Sequence, residues 1–254
     1  MGSIFVIPCY FNIENPVIFN CINSIQKFHP NSNIVVIDSG SSDKSYFSFL
    51  KEKNVTIEDV NNRNYDTGAY WYAFKKYKNK YSLFYFIHDS VKLNKKLPVE
   101  GEGRFFSIRY FYSHDKLHEL YTLKSIKNFI LDSFLSKLNF KKKFPEMYGF
   151  DSITQKKWVE GKLKNLDVCL PIFFLGLFGP MMIIDKELMN ILEDAGLDKI
   201  LPANKEEQKA MERIFGIVLA SKGIDIINHS LQGDHMKPLN LDSSFLSKKI
   251  LNRK

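Results

Sequence analysis

Residues Ser3–Asn12 read S-I-F-V-I-P-C-Y-F-N and residues Asn33–Asp43 read N-I-V-V-I-D-S-G-S-S-D. Each stretch holds four consecutive apolar residues, Ile4–Ile7 and Ile34–Ile37, bounded by turn-forming residues, and a helix-like amphipathic segment joins them. That pattern describes a βαβ unit with two parallel strands, so both strands end on the same edge of a sheet. In an open α/β sheet a ligand sits in the crevice outside those carboxyl ends. The residues delivered there are Pro8, Tyr10 and Asn12 from the first strand and Asp38 and Ser39 from the second, which suits a nucleotide-like ligand. Asp38 matters most, because an ionisable group directly after four apolar residues needs a partner if it is buried, and the base or ribose of a ligand would supply one.

The remaining chain fits one α/β domain. With 254 residues, 44% of them hydrophobic and 14% aromatic, it can bury a sizeable core. No solenoid repeat or low-complexity linker divides it, so residues 1–240 are expected to form a single domain that includes a basic helical region over 116–164, followed by a basic tail over 241–254. The net charge of +8 is regional: Lys116–Lys164 carries eleven lysines against five acidic residues. Within it Leu120, Leu123, Ile126, Ile130, Phe134 and Leu138 recur at helical spacing ahead of Lys141–Lys143, a basic amphipathic helix that either packs on the core or lies on a membrane surface. No nucleic-acid recognition motif accompanies the charge, so no nucleic-acid partner is expected. Met1–Val6 runs into the first strand with no basic n-region, and the apolar run Val168–Ile184 is broken by Pro171, Gly176, Gly179 and Pro180. These features predict a cytoplasmic protein with no spanning helix. Cys9, Cys21 and Cys169 read as reduced, buried thiols.

Downstream, a helix is predicted over 43–53 and a strand over 55–60. The stretch Asn61–Tyr70, N-N-R-N-Y-D-T-G-A-Y, then enters a helix ending near Lys80, with Asp66 or Thr67 as its cap and Gly68 admitting a ligand to its positive end. A strand over 83–87 delivers His88-Asp89-Ser90 to the same sheet edge. An aromatic strand is predicted over 104–112, a core strand and turn over 173–184, and a helix over 205–222 that closes on Gly223.

The first two motifs, P-C-Y-F-N and D-S-G-S-S-D, resemble the strand ends of the nucleotide-sugar half of GT-A glycosyltransferases, especially inverting family-two-like enzymes, whose patterns are P-x-Y-N and D-D-G-S-x-D. The stretch N-x-R-x-x-D-T-G-A-Y is similar to the N-x-G-R-D-x-G-A-F loop of rhamnan-synthesis-type members. The resemblance implies a GT-A fold, an α/β architecture with a mainly parallel central sheet flanked by helices. It also implies a nucleoside diphosphate sugar donor, with Arg63, Asp66 and Gly68 as further donor contacts.

Where that family carries Asp-x-Asp, this chain has His88-Asp89-Ser90. One carboxylate with an imidazole makes a softer site than two carboxylates. The resemblance then leaves two arrangements: Mn²⁺ or Mg²⁺ held by Asp89 and His88 with a downstream histidine such as His235 or His229, or a diphosphate neutralised by basic residues without metal. The run Phe173–Glu187 resembles the family's acceptor-side wall. Counting back from Gly223 to the family's acidic pair selects Glu212 as general base, while Glu206 and Glu207 sit where a helix start favours any carboxylate.

The activity implied is transfer of a hexosyl or deoxyhexosyl group to a hydroxyl of a glycan or lipid-linked acceptor, as in polysaccharide biosynthesis. Two alternatives stand beside it. A sugar nucleotidyltransferase would want a Gly-rich phosphate loop with a lysine after the first strand, which Pro8–Asn12 lacks. A catalytically silent sugar-nucleotide, glycan or membrane-surface module is favoured by the altered metal motif and opposed by Asp38 and the Arg63–Gly68 loop.

Overall fold

The computed structural model describes residues 2–99, 101–117, 147–235 and 244–248. Its centre is a six-stranded sheet in the order β3-β2-β1-β4-β10-β6. Strands β1 (Gly2–Cys9), β2 (Asn33–Asp38), β3 (Thr56–Asp59) and β4 (Tyr81–Phe86) are parallel, whereas β10 (Met182–Asp185) runs antiparallel to both β4 and β6 (Phe105–Ser107). The expected fold class, α/β with a mainly parallel central sheet flanked by helices, is the one observed.

Alternation along the strands sends side chains to two cores. Ile4, Val6, Val35, Ile37, Phe84 and Phe86 face one layer, formed by α3 (Tyr65–Tyr77), α4 (Ile153–Asn165), α5 (Lys186–Asp194) and α6 (Lys205–Ser221). Phe5, Ile7, Ile34, Val36 and Tyr85 face the other, covered by α1 (Val17–Phe28) and α2 (Tyr46–Glu52). A strand buried on both faces must be apolar at every position, which is why the four-residue runs in β1 and β2 carry no polar side chain. At about 1.5–3 kcal/mol for each fully buried large apolar side chain, these two layers supply the main driving force.

The aromatic stretch expected as one strand is two. Phe105–Ser107 joins the central sheet as β6, and after Ile108–Arg109 the chain enters β7 (Tyr110–Leu117), which belongs to a second sheet ordered β8-β7-β9 with β8 (Met147–Phe150) and β9 (Phe173–Leu177). The amphipathic helix expected over 117–138 lies, beyond Leu117, outside the described residues. Leu246–Lys248, within the expected tail, forms β11 and pairs antiparallel with β5 (Val91–Leu93). Cys9 and Cys21 are buried thiols, but Cys169 is exposed, and Ile172 and Phe173 beside it are 63% and 65% exposed, so the run from Val168 is core only from Phe174 onward. No helix among the described residues is long and apolar enough to cross a membrane.

One packing contact sets the depth of the site. Helix α6 lies directly on β9 at Gly216, where an added Cβ would stand 1.9 Å from the Leu175 carbonyl oxygen and 3.0 Å from Gly176 Cα. At the partner position on that strand, a Cβ on Gly176 would stand 2.1 Å from the Phe111 ring. In an exposed helix Gly→Ala gains about 1 kcal/mol of propensity. Here the obstructing atom is strand backbone, so Gly216→Ala is expected to destabilise the protein by about 3 kcal/mol. Urea denaturation should show a lowered midpoint with an unchanged m-value; a midpoint at or above wild type would refute the close contact.

Candidate active site

The carboxyl ends of β1, β2 and β4 form one polar edge, as their parallel register requires. Cys9 pairs with Asp38 across β1 and β2, and Asp38 pairs with Asp59 across β2 and β3. Pro8 is buried within β1, while Tyr10 and Asn12 just beyond it are exposed, and the Asn12 side chain accepts from the Glu14 amide at 2.9 Å.

Asp38 itself is fully buried. Its carboxylate accepts from the Tyr46 hydroxyl at 2.7 Å, from the Lys44 ammonium, and from the Gly40 and Ser41 amides at 3.2 Å. Burial works to raise its pKa, but the Lys44, Ser41 and Tyr46 hydrogen bonds outweigh burial and hold it below the usual carboxylate range. Lys44 also reaches Asp59 at 2.9 Å and so ties together the ends of two neighbouring strands. Asp38, expected to contact a nucleoside, is held here by partners the chain supplies itself, as its burial demands.

The loop before α3 interlocks with this turn. Asn62 donates to Ser39 Oγ at 3.3 Å and to the Tyr65 carbonyl at 2.6 Å, and its own Oδ1 accepts from the Asn64 amide at 3.1 Å. Asn61 and Tyr65 hold φ of 48° and 54°, conformations that cost about 1–3 kcal/mol each and persist only where the surroundings enforce them. Neither Asp66 nor Thr67 caps the helix. Asn64 occupies the cap position without a side-chain bond, Asp66 lies in the first turn, and the buried Thr67 hydroxyl meets Gln208 Oε1 at 3.1 Å. The loop itself requires a glycine at residue 68, because a Cβ there would stand 2.5 Å from both Asn62 Oδ1 and Asn64 Cβ. Arg63 projects exposed from the same loop.

At the end of β4, His88 Nε2 lies 3.0 Å from Asp66 Oδ2. Asp89 is buried, and its charge acts on Cys9, Cys21 and Tyr70. Burial pushes both thiols and the Tyr70 phenol well up, and Asp89 pushes each further, with Asp66 also acting on Tyr70. Across the edge stands Gly179, whose φ is +62° and whose missing Cβ would fall 2.6 Å from His88 Cε1. The Gly179 amide donates to Glu212 Oε1 at 3.0 Å. Glu212 sits one helical turn before Gly216, on the face of α6 that approaches β9.

Glu212 lines a cleft of about 250 Å³ together with Phe111, Tyr148, Asp151, Phe178, Lys209, Arg213 and His235. His235 stacks on Phe178 with ring centroids 3.7 Å apart. Arg213 is buried, lies 5.7 Å and 5.2 Å from the Phe111 and Phe150 ring centroids, and donates to the Gly149 carbonyl at 2.7 Å. Lys209 and Asp151 pair at 3.1 Å. The other two carboxylates of α6 are engaged at its start: Glu207 accepts from the Ala203 amide at 2.7 Å, and Glu206 stands 3.5 Å from Ser152 Oγ. Of the aromatic wall, the sequence reading marked only Phe178, as part of the run Phe173–Glu187; Phe111, Tyr148, Lys209 and Arg213 were not marked, because the wall is assembled from β7, β8 and the turn after β9, far apart in the chain.

The metal arrangement does not fit as expected. Asp89 is buried against β1, α1 and α3 residues, His88 rests on Asp66, and His235 belongs to the aromatic cleft. Among the described residues no three or more His, Cys, Asp or Glu side chains converge on one point. Asp66 and His88 are the two metal-capable groups brought together. His229 is exposed, with Nδ1 2.8 Å from the Asp225 carbonyl oxygen.

No family model and no curated protein sequence matches the chain. Solved structures that align with it include S. aureus TarS 1-349 in complex with UDP, at 16% identity over 83% of this chain and 54% of that one with a TM-score of 0.40. Core-mannan synthase A (CmsA/Ktr4) from Aspergillus fumigatus, in an Mn/GDP form, aligns at 7% identity over 100% of this chain and 80% of that one with a TM-score of 0.45. Glucosyl-3-phosphoglycerate synthase from Mycobacterium tuberculosis, in complex with Mn²⁺ and UDP-glucose, aligns at 14% identity over 88% and 80% with a TM-score of 0.34. The chain spans 32% of a longer TarS structure.

The Asp38 arrangement gives a pH signature. A carboxylate whose pKa is depressed in the folded state contributes stability that is present above its unfolded pKa of ~3.9 and is lost as pH falls through the lower folded value. Asp38→Asn should therefore cost about 1.5–3 kcal/mol at pH 7, the range for hydrogen bonds to a charged group. The gap between wild type and variant should narrow below about pH 4. Urea titrations at pH 7 and pH 3 check this, and a gap that stays constant would show that the carboxylate charge is not what holds the turn.

Proposed function

We propose that this chain is a GT-A-type glycosyltransferase domain that moves a hexosyl or deoxyhexosyl group from a nucleoside diphosphate sugar to a hydroxyl of a glycan or lipid-linked acceptor. The observation that carries the reading is the Glu212 carboxylate, fixed by the Gly179 amide where the aromatic cleft meets the polar strand ends. A general base must lie within hydrogen-bond reach of the acceptor hydroxyl proton and outside the line along which that oxygen attacks the anomeric carbon, and a backbone donor on one of its oxygens holds it in place.

In this reading the nucleoside lies over the exposed strand ends with Tyr10, Asn12 and Ser39, on the turn that Asp38 and Asn62 hold. The diphosphate lies toward Arg63, Asp66 and His88, and Arg63 supplies positive charge to the leaving group. The acceptor enters the cleft between Phe111, Tyr148 and Phe178, where apolar rings and a few placed polar groups suit a sugar ring. Glu212 takes the acceptor hydroxyl proton as that oxygen bonds to the anomeric carbon. The bond from the anomeric carbon to the diphosphate oxygen breaks from the opposite face, and the nucleoside diphosphate leaves with the electron pair. The outcome is inversion. A module that only bound sugar nucleotides would gain nothing from a carboxylate held at the mouth of a second cleft.

Purified protein incubated with a panel of nucleotide sugars, with and without Mn²⁺, should slowly hydrolyse at least one of them. Glu212→Gln keeps the shape and removes the proton acceptor, so turnover should fall by ~10²–10⁴-fold while donor affinity stays near wild type. A fully active Gln variant, beside an inactive Glu206 or Glu207 variant, would move the base to the start of the helix.

A further inference from the structure

Three facts meet at Gly179. Its φ of +62° is a left-handed conformation that side chains other than glycine adopt only at a cost. The space a side chain would need is filled by the His88 ring, with Cε1 2.6 Å, Nε2 3.2 Å and Nδ1 3.4 Å from an ideal Cβ. Its amide donates to Glu212 Oε1 at 3.0 Å. Residue 179 is thus pressed on one side by the imidazole that rests on Asp66 and bonded on the other to the carboxylate of α6. Gly179 and Pro180 are buried, Met181 is 2% exposed, Phe178 is half-buried, and the Met181 amide closes back on the Phe178 carbonyl at 3.4 Å. A turn packed this closely moves as a unit, because an interior at close-packed density transmits displacement rather than absorbing it.

We infer that Gly179 is a positioning residue that couples the donor side of the site to the general base: a diphosphate that displaces His88 moves the 178–181 turn and with it the oxygen that the Gly179 amide holds. The inference rests on the reading of Glu212 as base and adds to it a route by which donor occupancy sets the base for the acceptor. Gly179 touches no reacting atom and acts through its neighbours. A misplacement of about 1 Å in a catalytic group costs on the order of 10²-fold in rate. Adding a methyl group at residue 179 forces a displacement of that size, because either the His88 ring or the turn must give way.

Two measurements test it. In steady-state donor hydrolysis, Gly179→Ala should lower kcat by ~10²-fold while the dissociation constant for the nucleoside diphosphate changes less than about threefold. A purely structural role would instead lower the amount of folded protein without separating the two. In protein labelled with ¹⁵N-glycine, the Gly179 amide resonance, assigned by its loss in Gly179→Ala, should shift in Glu212→Gln and should shift again in wild type when UDP or GDP is added. The inference is overturned if Gly179→Ala keeps kcat within twofold of wild type, or if the resonance is unmoved by Glu212→Gln or by the nucleotides. If wild type turns over no nucleotide sugar, the proposed activity fails, and the amide shifts still decide whether the clasp exists.

Discussion

The direct contact of helix α6 with strand β9, possible because residues 176 and 216 carry no side chain, is the constraint on which the site depends. With Gly216 against the Leu175 carbonyl, the helix lies closer to the strand than any side chain would permit. Glu212, one turn earlier on the same face, is thereby brought within hydrogen-bonding distance of the turn that follows β9. Were the helix to back away by the width of a methyl group, the 3.0 Å bond between the Gly179 amide and Glu212 would be lost, and the cleft would open along its Phe111 wall. Core packing and site geometry are here the same contact.

The polar edge formed by the strand ends is built on a different principle, charge buried against charge. Asp38 enters the structure at the end of an apolar strand with no water to solvate it, and the turn that follows is folded around it by the Lys44 ammonium, the Tyr46 hydroxyl and two backbone amides. Removing one partner from such a cluster leaves an uncompensated charge, so the elements depend on one another. The Asn61–Tyr65 stretch inherits this rigidity through Asn62, whose bonds offset the cost of its two positive-φ residues. Exposed side chains such as Tyr10 and Arg63 then stand on a base that does not have to be ordered when a ligand arrives, which lowers the entropic cost of binding.

The βαβ unit was legible because its signal is local: continuous apolar runs, turn residues and an intervening amphipathic segment all lie within forty residues. The helix over 205–222 was legible from its apolar spacing and closing glycine, whereas the choice of Glu212 on it came from the resemblance, by counting back from Gly223. What was not legible is long-range. Asp38 was assigned to a ligand because its intrachain partners, Lys44 and Tyr46, sit in the next helical segment with nothing in their residue type to announce a bond. The aromatic stretch over 104–112 looked like one strand because the switch from the central sheet to the second one at Ile108–Arg109 has no breaker residue. Only the Phe178 part of the cleft beside Glu212 was anticipated, because Phe111 and Tyr148 come from separate segments far along the chain. Gly179 was seen as half of a Gly-Pro turn, but its contacts with His88 and Glu212 span 91 and 33 positions in the chain and could not be read from either neighbourhood.

The electrostatics of the cleft bear on when the proton moves. Arg213 is buried beneath Glu212 with its charge set among aromatic rings and backbone carbonyls; burial pulls its pKa down, and the attraction of Glu212, followed by that of Asp151, opposes the fall. Asp151 is shared with Lys209 at the rim, so of the two carboxylates Glu212 acts more strongly on the buried guanidinium. In the proposed reaction, protonating Glu212 moves negative charge away from the carboxylate beside that cation, either onto an acceptor alkoxide or onward to the departing diphosphate. The net charge of the site is the same on both paths, but a carboxylate is far too weak a base to make a free alkoxide, and a neighbouring cation that favours its ionised form makes it weaker still. On the proposed reading, proton transfer therefore accompanies cleavage of the donor bond rather than preceding it.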